Sequence, residues 1–147
     1  MTDEYDKFVE MLHSKYPTMF AGQYGGVCVS KGWWPIIEAL CEQIQSHLKH
    51  RNGLATQYPD QHKPVEEVVI AQIKEKFGGL RFYYDGGDDT VYGMVRMAES
   101  WAGRSCEECG APGKRTGEGW IKTLCGFHIA EREALRAEQM KKGGYEE

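Results

Sequence analysis

The apolar positions of this chain switch between a period near 3.6 and a period of 2, and the switches mark its elements. Tyr5, Phe8, Val9 and Leu12 fall at helical spacing, so residues 3–15 read as an amphipathic helix that Pro17 ends. A Gly- and aromatic-rich loop follows through Phe20, Gly22, Tyr24, Gly25 and Gly26. Pro35 suits a first helical turn, and Ile37, Leu40, Cys41, Ile44 and Leu48 then form an apolar stripe that Asn52-Gly53 is expected to stop. Residues 52–64, with Gly53, Pro59, Asp60 and Pro64, read as an exposed loop, and His62 in it as a solvated side chain.

Val68 to Tyr84 carries the strongest hairpin signal. Val68 to Lys74 is strand-like, Gly78-Gly79 offers the positive φ of a primed turn, and Leu80 to Tyr84 returns. That turn pairs residue 76 with 81 and 74 with 83. It places Val69, Ala71, Ile73, Leu80, Phe82 and Tyr84 on the core face, and Ile70, Gln72, Lys74, Lys76, Arg81 and Tyr83 on the other. Asp85, Asp88 and Asp89 sit in a Gly-rich turn; they suit capping, with a divalent-ion site as the less simple reading. Val91, Met94, Val95, Ala98 and Trp101 mark a third helix ending near Gly103. A final helix runs from about 126 to 141, its end protruding where apolar residues thin out after Leu135. The fold class is therefore α+β: a small hairpin-centred sheet packed by helices. No internal repeat is visible.

Composition narrows the function. The 147 residues are 41% hydrophobic and 27% charged, as in ordinary globular domains, and no apolar run approaches the length of a membrane span. A net charge of -4 argues against dominant nonspecific DNA or membrane binding, though not against a local basic patch. The acidic start lacks the basic region of a secretory signal, so a cytosolic chain is the simplest expectation. An odd number of cysteines, five, favours a metal site plus spare thiols over a disulfide framework. Cys41 falls on the apolar stripe and reads as core; Cys28 reads as a packed loop or strand residue, with no basic neighbour to activate it.

The three remaining cysteines give the sharpest signal. Cys106-x2-Cys109 and Cys125-x2-His128, fifteen residues apart, present three thiolates and an imidazole, the donor set of a structural zinc ion. Gly110 permits the tight turn after Cys109. With four protein donors no position is left for a reactive water, so one structural Zn2+ per chain is expected, held by Cys106, Cys109, Cys125 and His128. The chain divides into an α+β core (1–104), a metal module (105–142) and a tail (143–147). Cys106 to Gly110 as a knuckle, Lys114 to Lys122 as a hairpin with Gly117 and Gly119 at its turn, and Cys125 to His128 as a helix start resemble a treble-clef zinc finger over residues 105–141. Some treble clefs are metal-dependent nucleases of the His-Me type, which need a histidine on the hairpin. Lys114 to Trp120 has none.

A wider resemblance covers residues 16–130. Gly32-Trp33, Gln72 to Tyr84, Cys106 to Gly113 and Trp120 to His128 resemble a group of small bacteriophage and prophage proteins of unassigned activity. The resemblance implies a phage or prophage origin and a place in the cytoplasm of the infected cell, and supplies no mechanism.

Two further features are candidates for binding. Lys74, Lys76, Arg81 and Tyr83 share a hairpin face. They are either solvated, with Glu66 and Glu75 as counter-charges, or a platform where the Arg fork grips phosphate or carboxylate beside an aromatic ring. Trp33 and Trp101 fit core positions; Trp34 reads as core or as a partner's anchor. No Gly-x-Ser-x-Gly, P-loop or His-Glu-x-x-His is present. The expected function is a non-enzymatic zinc-stabilised binding protein, a phage accessory factor that binds and inhibits a host protein such as a defence protein; nucleotide or nucleic-acid binding through the basic hairpin face and metal-dependent nuclease activity are the alternatives. Oligomeric state stays open.

Overall fold

The hairpin at the centre of the fold spans Val69 to Asp85, one residue on from its sequence expectation. In the computed structural model, which describes residues 3–22 and 25–143, the order is α1 (Asp3–Lys15), β1 (Val27–Cys28), a single 3-10 turn (Lys31–Trp33), α2 (Trp34–Gln57), β2 (Val69–Lys76), β3 (Gly79–Asp85), α3 (Asp89–Ala102), β4 (Lys114–Thr116), β5 (Lys122–Leu124) and α4 (Gly126–Gly143). Tyr24 and the tail beyond Gly143 lie outside the described residues. The class is α+β, as expected: a three-stranded sheet, β1-β2-β3, backed by α2 and α3, and a separate β4-β5 hairpin followed by α4. β2 and β3 are antiparallel; β1 joins parallel to β2, with Val27 opposite Ile73.

The core forms where the stripes meet. Ile37, Leu40, Cys41, Ile44 and Leu48 of α2 face Ile73, Leu80 and Phe82 of the sheet and Val91 and Val95 of α3. Each buried Leu, Ile, Val or Phe contributes about 1.5–3 kcal/mol relative to exposure. Cys41 is part of this packing: burial first, with Glu38 second, pushes its thiol up to about 12, leaving it an unreactive hydrophobe. Trp33 is fully buried, as expected, but Trp101 is 62% exposed, because the α2–α3 packing closes on Ala98 and Ala102 instead.

Three further sequence expectations need correction. First, α2 runs through Asn52-Gly53 to Gln57. Asn52 does not stop the helix; its side chain accepts from Val65 N at 2.6 Å and donates to Val65 O and Glu67, pinning the following loop to the helix flank. Pro59 ends the run instead.

Second, the hairpin turn is Phe77-Gly78, with φ of 54° and 77°, so Lys76 pairs with Gly79 and Lys74 with Arg81. A primed turn needs positive φ at both central positions. Here Phe77 takes the first of them and Gly78 the second; a Cβ on Gly78 would meet Lys122 at 3.2 Å, and one on Gly79 would meet Arg115 Nη2 at 3.2 Å.

Third, the ladder shifts between Ile70 and Gln72. The bulge reverses the alternation beyond it, so Ile70 and Val68 enter the core while Ala71 is exposed and Val69 half-buried.

Asp88 caps α3, accepting from Val91 N at 3.0 Å, and pairs with His47 Nε2 at 2.8 Å. Partial burial pushes its carboxyl up, but the His47 contact and the Val91 N–H outweigh that and hold it below the ordinary value. A lowered folded pKa contributes stability above the unfolded carboxyl range and loses it as pH falls through the lowered value. Asp88→Ala is expected to cost about 1 kcal/mol at neutral pH. Asp88→Asn is expected to flatten the acid limb of stability, read from urea midpoints across the carboxylate range.

Candidate metal centre

Four donor atoms converge where the knuckle meets α4. The Sγ atoms of Cys106, Cys109 and Cys125 and a ring nitrogen of His128 all lie within 4.8 Å of one another. Cys106 Sγ is 3.5 Å and Cys125 Sγ 3.2 Å from His128 Nδ1, and Cys109 Sγ is 3.8 Å from Cys125 Sγ. A tetrahedral ion with metal–sulfur bonds of ~2.3 Å and a metal–nitrogen bond of ~2.0–2.1 Å sets edges of about 3.8 Å between sulfurs and 3.6 Å between sulfur and nitrogen. These three separations lie near those edges and the widest of the six is no more than 4.8 Å, so the Cys3His cluster is able to hold one metal ion, through Nδ1 of the histidine.

Local structure explains the convergence. Gly110, at φ 80°, turns the chain so that Gly110 N donates to Cys106 O at 2.8 Å, bringing Cys109 back under Cys106. The β4-β5 hairpin then returns the chain to Cys125, and α4 starts at Gly126, which puts His128 on its first turn beside Cys125. There the His128 N–H, first among several contacts, holds the Cys125 thiol below its ordinary value. At Cys109 the Ala111 N–H lowers the thiol, but desolvation and the neighbouring sulfurs outweigh it.

The centre is bonded to the rest of the fold by residues that the sequence reading missed. Gly32 N donates to Glu107 O at 2.8 Å, and Trp33 Nε1 donates to Ser105 O at 2.9 Å. Glu107, 1% exposed, lies inside the knuckle between two cysteines of the cluster. Its carboxylate accepts from Thr123 N at 2.8 Å and pairs with Lys122 at 3.3 Å. Burial first, and then the charge of Glu75, raise its pKa; Thr123 and Lys122 oppose the rise without cancelling it. Thr123 Oγ1, also buried, donates to Gly78 O at 2.6 Å, tying the second hairpin to the tip of the first. A charged residue between knuckle cysteines looks solvated in a sequence, so nothing in the pattern singles Glu107 out. Glu107→Ala leaves Thr123 N–H and Lys122 without their acceptor and is expected to cost about 2–3 kcal/mol. Glu107→Gln, which can still accept from Thr123 N, should recover part of this in urea unfolding.

Compared with family models, curated proteins and solved structures, the chain matches none.

The other residues singled out by sequence lie outside this cluster. Lys74, Lys76, Arg81 and Tyr83 do share the outer face of the hairpin, but it is Lys74, not Lys76, that sits opposite Arg81. The counter-charges expected from Glu66 and Glu75 are absent among the described residues; Glu75 instead accepts from Gly78 N at 2.7 Å. Trp34 is half-buried, stacked on Phe8 at 4.7 Å, and donates to Val29 O. Cys28 is exposed on β1. No helix among the described residues is long and apolar enough to cross a membrane.

Proposed function

We propose that the chain is a non-enzymatic, zinc-stabilised binding protein, a phage accessory factor that seats an amphipathic helix of a host protein between α2 and α3. Zinc is the ion this reading assigns to the cluster, because three thiolates and one imidazole in a tetrahedron suit a borderline-soft ion without geometric demands of its own. Four protein donors complete that tetrahedron, which supports a structural role for the ion. Reduced ligand thiols suit the cytoplasm of an infected cell.

The observation that carries the docking surface is the apolar groove along the two helices. Ile36 and Ala39 form one wall, Met94, Met97 and Trp101 the other, around a space of about 620 Å³. Met97 is 67% exposed beside the exposed Trp101. Adjoining exposed Met and Trp on a stiff scaffold is the composition of an interaction hot spot, where methionine adapts and tryptophan anchors. A helix suits the groove because the walls are themselves helices and small residues flank it. Beyond Gly93 the space where a Cβ would sit is open, so a third helix can approach closely.

The test is a pair of charge insertions, Met97→Asp with Trp101→Asp, which point outward and should leave metal content and thermal midpoint unchanged. Once a stoichiometric host partner is captured, the double variant is expected to lose more than 100-fold in affinity for it, with the wild type monomeric by light scattering. A partner retained unchanged by the double variant would overturn the reading. So would a wild-type dimer that the substitutions abolish, since a second copy would then fill the groove.

A further inference from the structure

We infer that the outer face of the β2-β3 hairpin, extended by Arg115 from the metal module, is a binding site for single-stranded nucleic acid. The face carries more charge than the hairpin sequence alone suggests. Lys74 and Arg81 are direct cross-strand partners, and Lys76 pairs with Gly79 on the same face. Gly79 is buried although it has no side chain to bury, because the Arg115 guanidinium lies over it, with Nη2 3.2 Å from where a Cβ would stand. A residue 36 positions on from Gly79 thus joins Lys76 and Arg81. The result is four cations on one surface of a chain whose net charge is -4.

None of the four has a carboxylate within salt-bridge distance among the described residues. Like charges directly opposite in a ladder are destabilising, and among the described residues no carboxylate relieves Lys74 against Arg81. A bound polyanion would.

Aromatic rings interleave with the charges. Tyr83, 45% exposed, lies 5.8 Å from Lys74 Nζ, and Phe77, 59% exposed at the turn tip, lies 5.7 Å from Lys76 Nζ. The positive φ of Phe77 holds that ring out at the end of the hairpin. Exposed rings alternating with cations are the arrangement that stacks unpaired bases while ammonium and guanidinium groups hold the phosphates. Lys74 and Lys76, two residues apart on one face, stand about 7 Å apart along the strand, close to the separation of successive phosphates in a stretched strand. A duplex would leave the rings without exposed base faces, and an acidic protein surface would have no use for two of them.

The experiment uses the intact metal-loaded chain and a fluorescent ten-residue oligothymidylate, followed by anisotropy across a salt series. A duplex of equal length and a polyglutamate peptide serve as competitors. Four phosphate contacts predict a slope of log K against log salt of about -3, from ~0.7 per contact on a single strand. Arg81→Glu with Arg115→Glu should weaken binding more than tenfold and flatten the slope. The first of these substitutions places a carboxylate opposite Lys74, so the hairpin is expected to stay folded, as circular dichroism and metal content would verify. Tyr83→Ala should weaken binding about five- to a hundred-fold with the slope unchanged. No binding at low salt would overturn the inference. So would polyglutamate competing as well as the oligonucleotide with Tyr83→Ala neutral, which would reassign the face to an acidic protein.

Discussion

Removing the metal, by chelation or by Cys125→Ser, is expected to unfold residues 105–125 and loosen α4 while leaving the α1–α3 core folded. The reason is how little else holds the module together. Its own buried cluster is Cys106, Leu124 and Cys125, with Ala111 and Ile129 packed beside it, so two of the three buried residues are ligands. One buried leucine contributes about 1.5–3 kcal/mol, whereas ordering the backbone costs about 1–2 kcal/mol for every residue fixed. Apparent zinc-binding energies in such sites are of order 10–16 kcal/mol, which is enough to reverse that balance. The core has its own cluster of twenty buried residues and does not share this dependence. The readout is amide exchange: protection lost across the knuckle and β4-β5, retained in α2 and in β2-β3 away from the turn. Trp33 should report the boundary, because its indole N–H loses the Ser105 acceptor.

Gly32→Ala is expected to damage stability and metal binding together. A Cβ at Gly32 would collide with the Cys106 backbone oxygen and come within 2.5 Å of Glu107 O. Both are main-chain atoms of the knuckle, so relief requires moving the knuckle off the core or shifting Cys106 itself. Overpacking typically costs 1–3 kcal/mol, and the lost Gly32 N to Glu107 O bond adds about 1 kcal/mol. A loss of about 3 kcal/mol in urea unfolding is expected. Because the displaced backbone carries a ligand, metal affinity should also fall about 10- to 100-fold, the usual scale for disturbing the support of a metal ligand. Gly53→Ala is the control: nothing lies within 4 Å of its Cβ position in mid-helix α2, so a gain of about 0.5–1 kcal/mol is expected there.

These two substitutions also show which parts of the fold can be read in the sequence. Period and spacing are local signals. They place α1, α3, α4, both hairpins and the Cys106, Cys109, Cys125 and His128 cluster, because each depends on residues near one another in the chain. What escapes is set by distant contacts. The hairpin turn lies at Phe77-Gly78, where Gly78 and Gly79 pack close to Lys122 and Arg115, some forty residues on. Gly53 looks like a helix stop until Asn52 is seen binding Val65. Glu107 looks like a solvated charge until Thr123 and Lys122 close over it. Trp101, correctly spaced for a core face, is left outside because α2 meets α3 at smaller residues. The donor set of the metal centre was therefore legible, and its attachment to the core through Gly32, Trp33 and Thr123 was not.

A closed Cys3His cluster is open to measurement by X-ray absorption at the zinc edge on purified chain. It predicts one zinc per chain, with three sulfur neighbours at about 2.3 Å and one nitrogen at about 2.0–2.1 Å. A chain purified with no metal, or a spectrum requiring an oxygen neighbour in place of one sulfur, would contradict it.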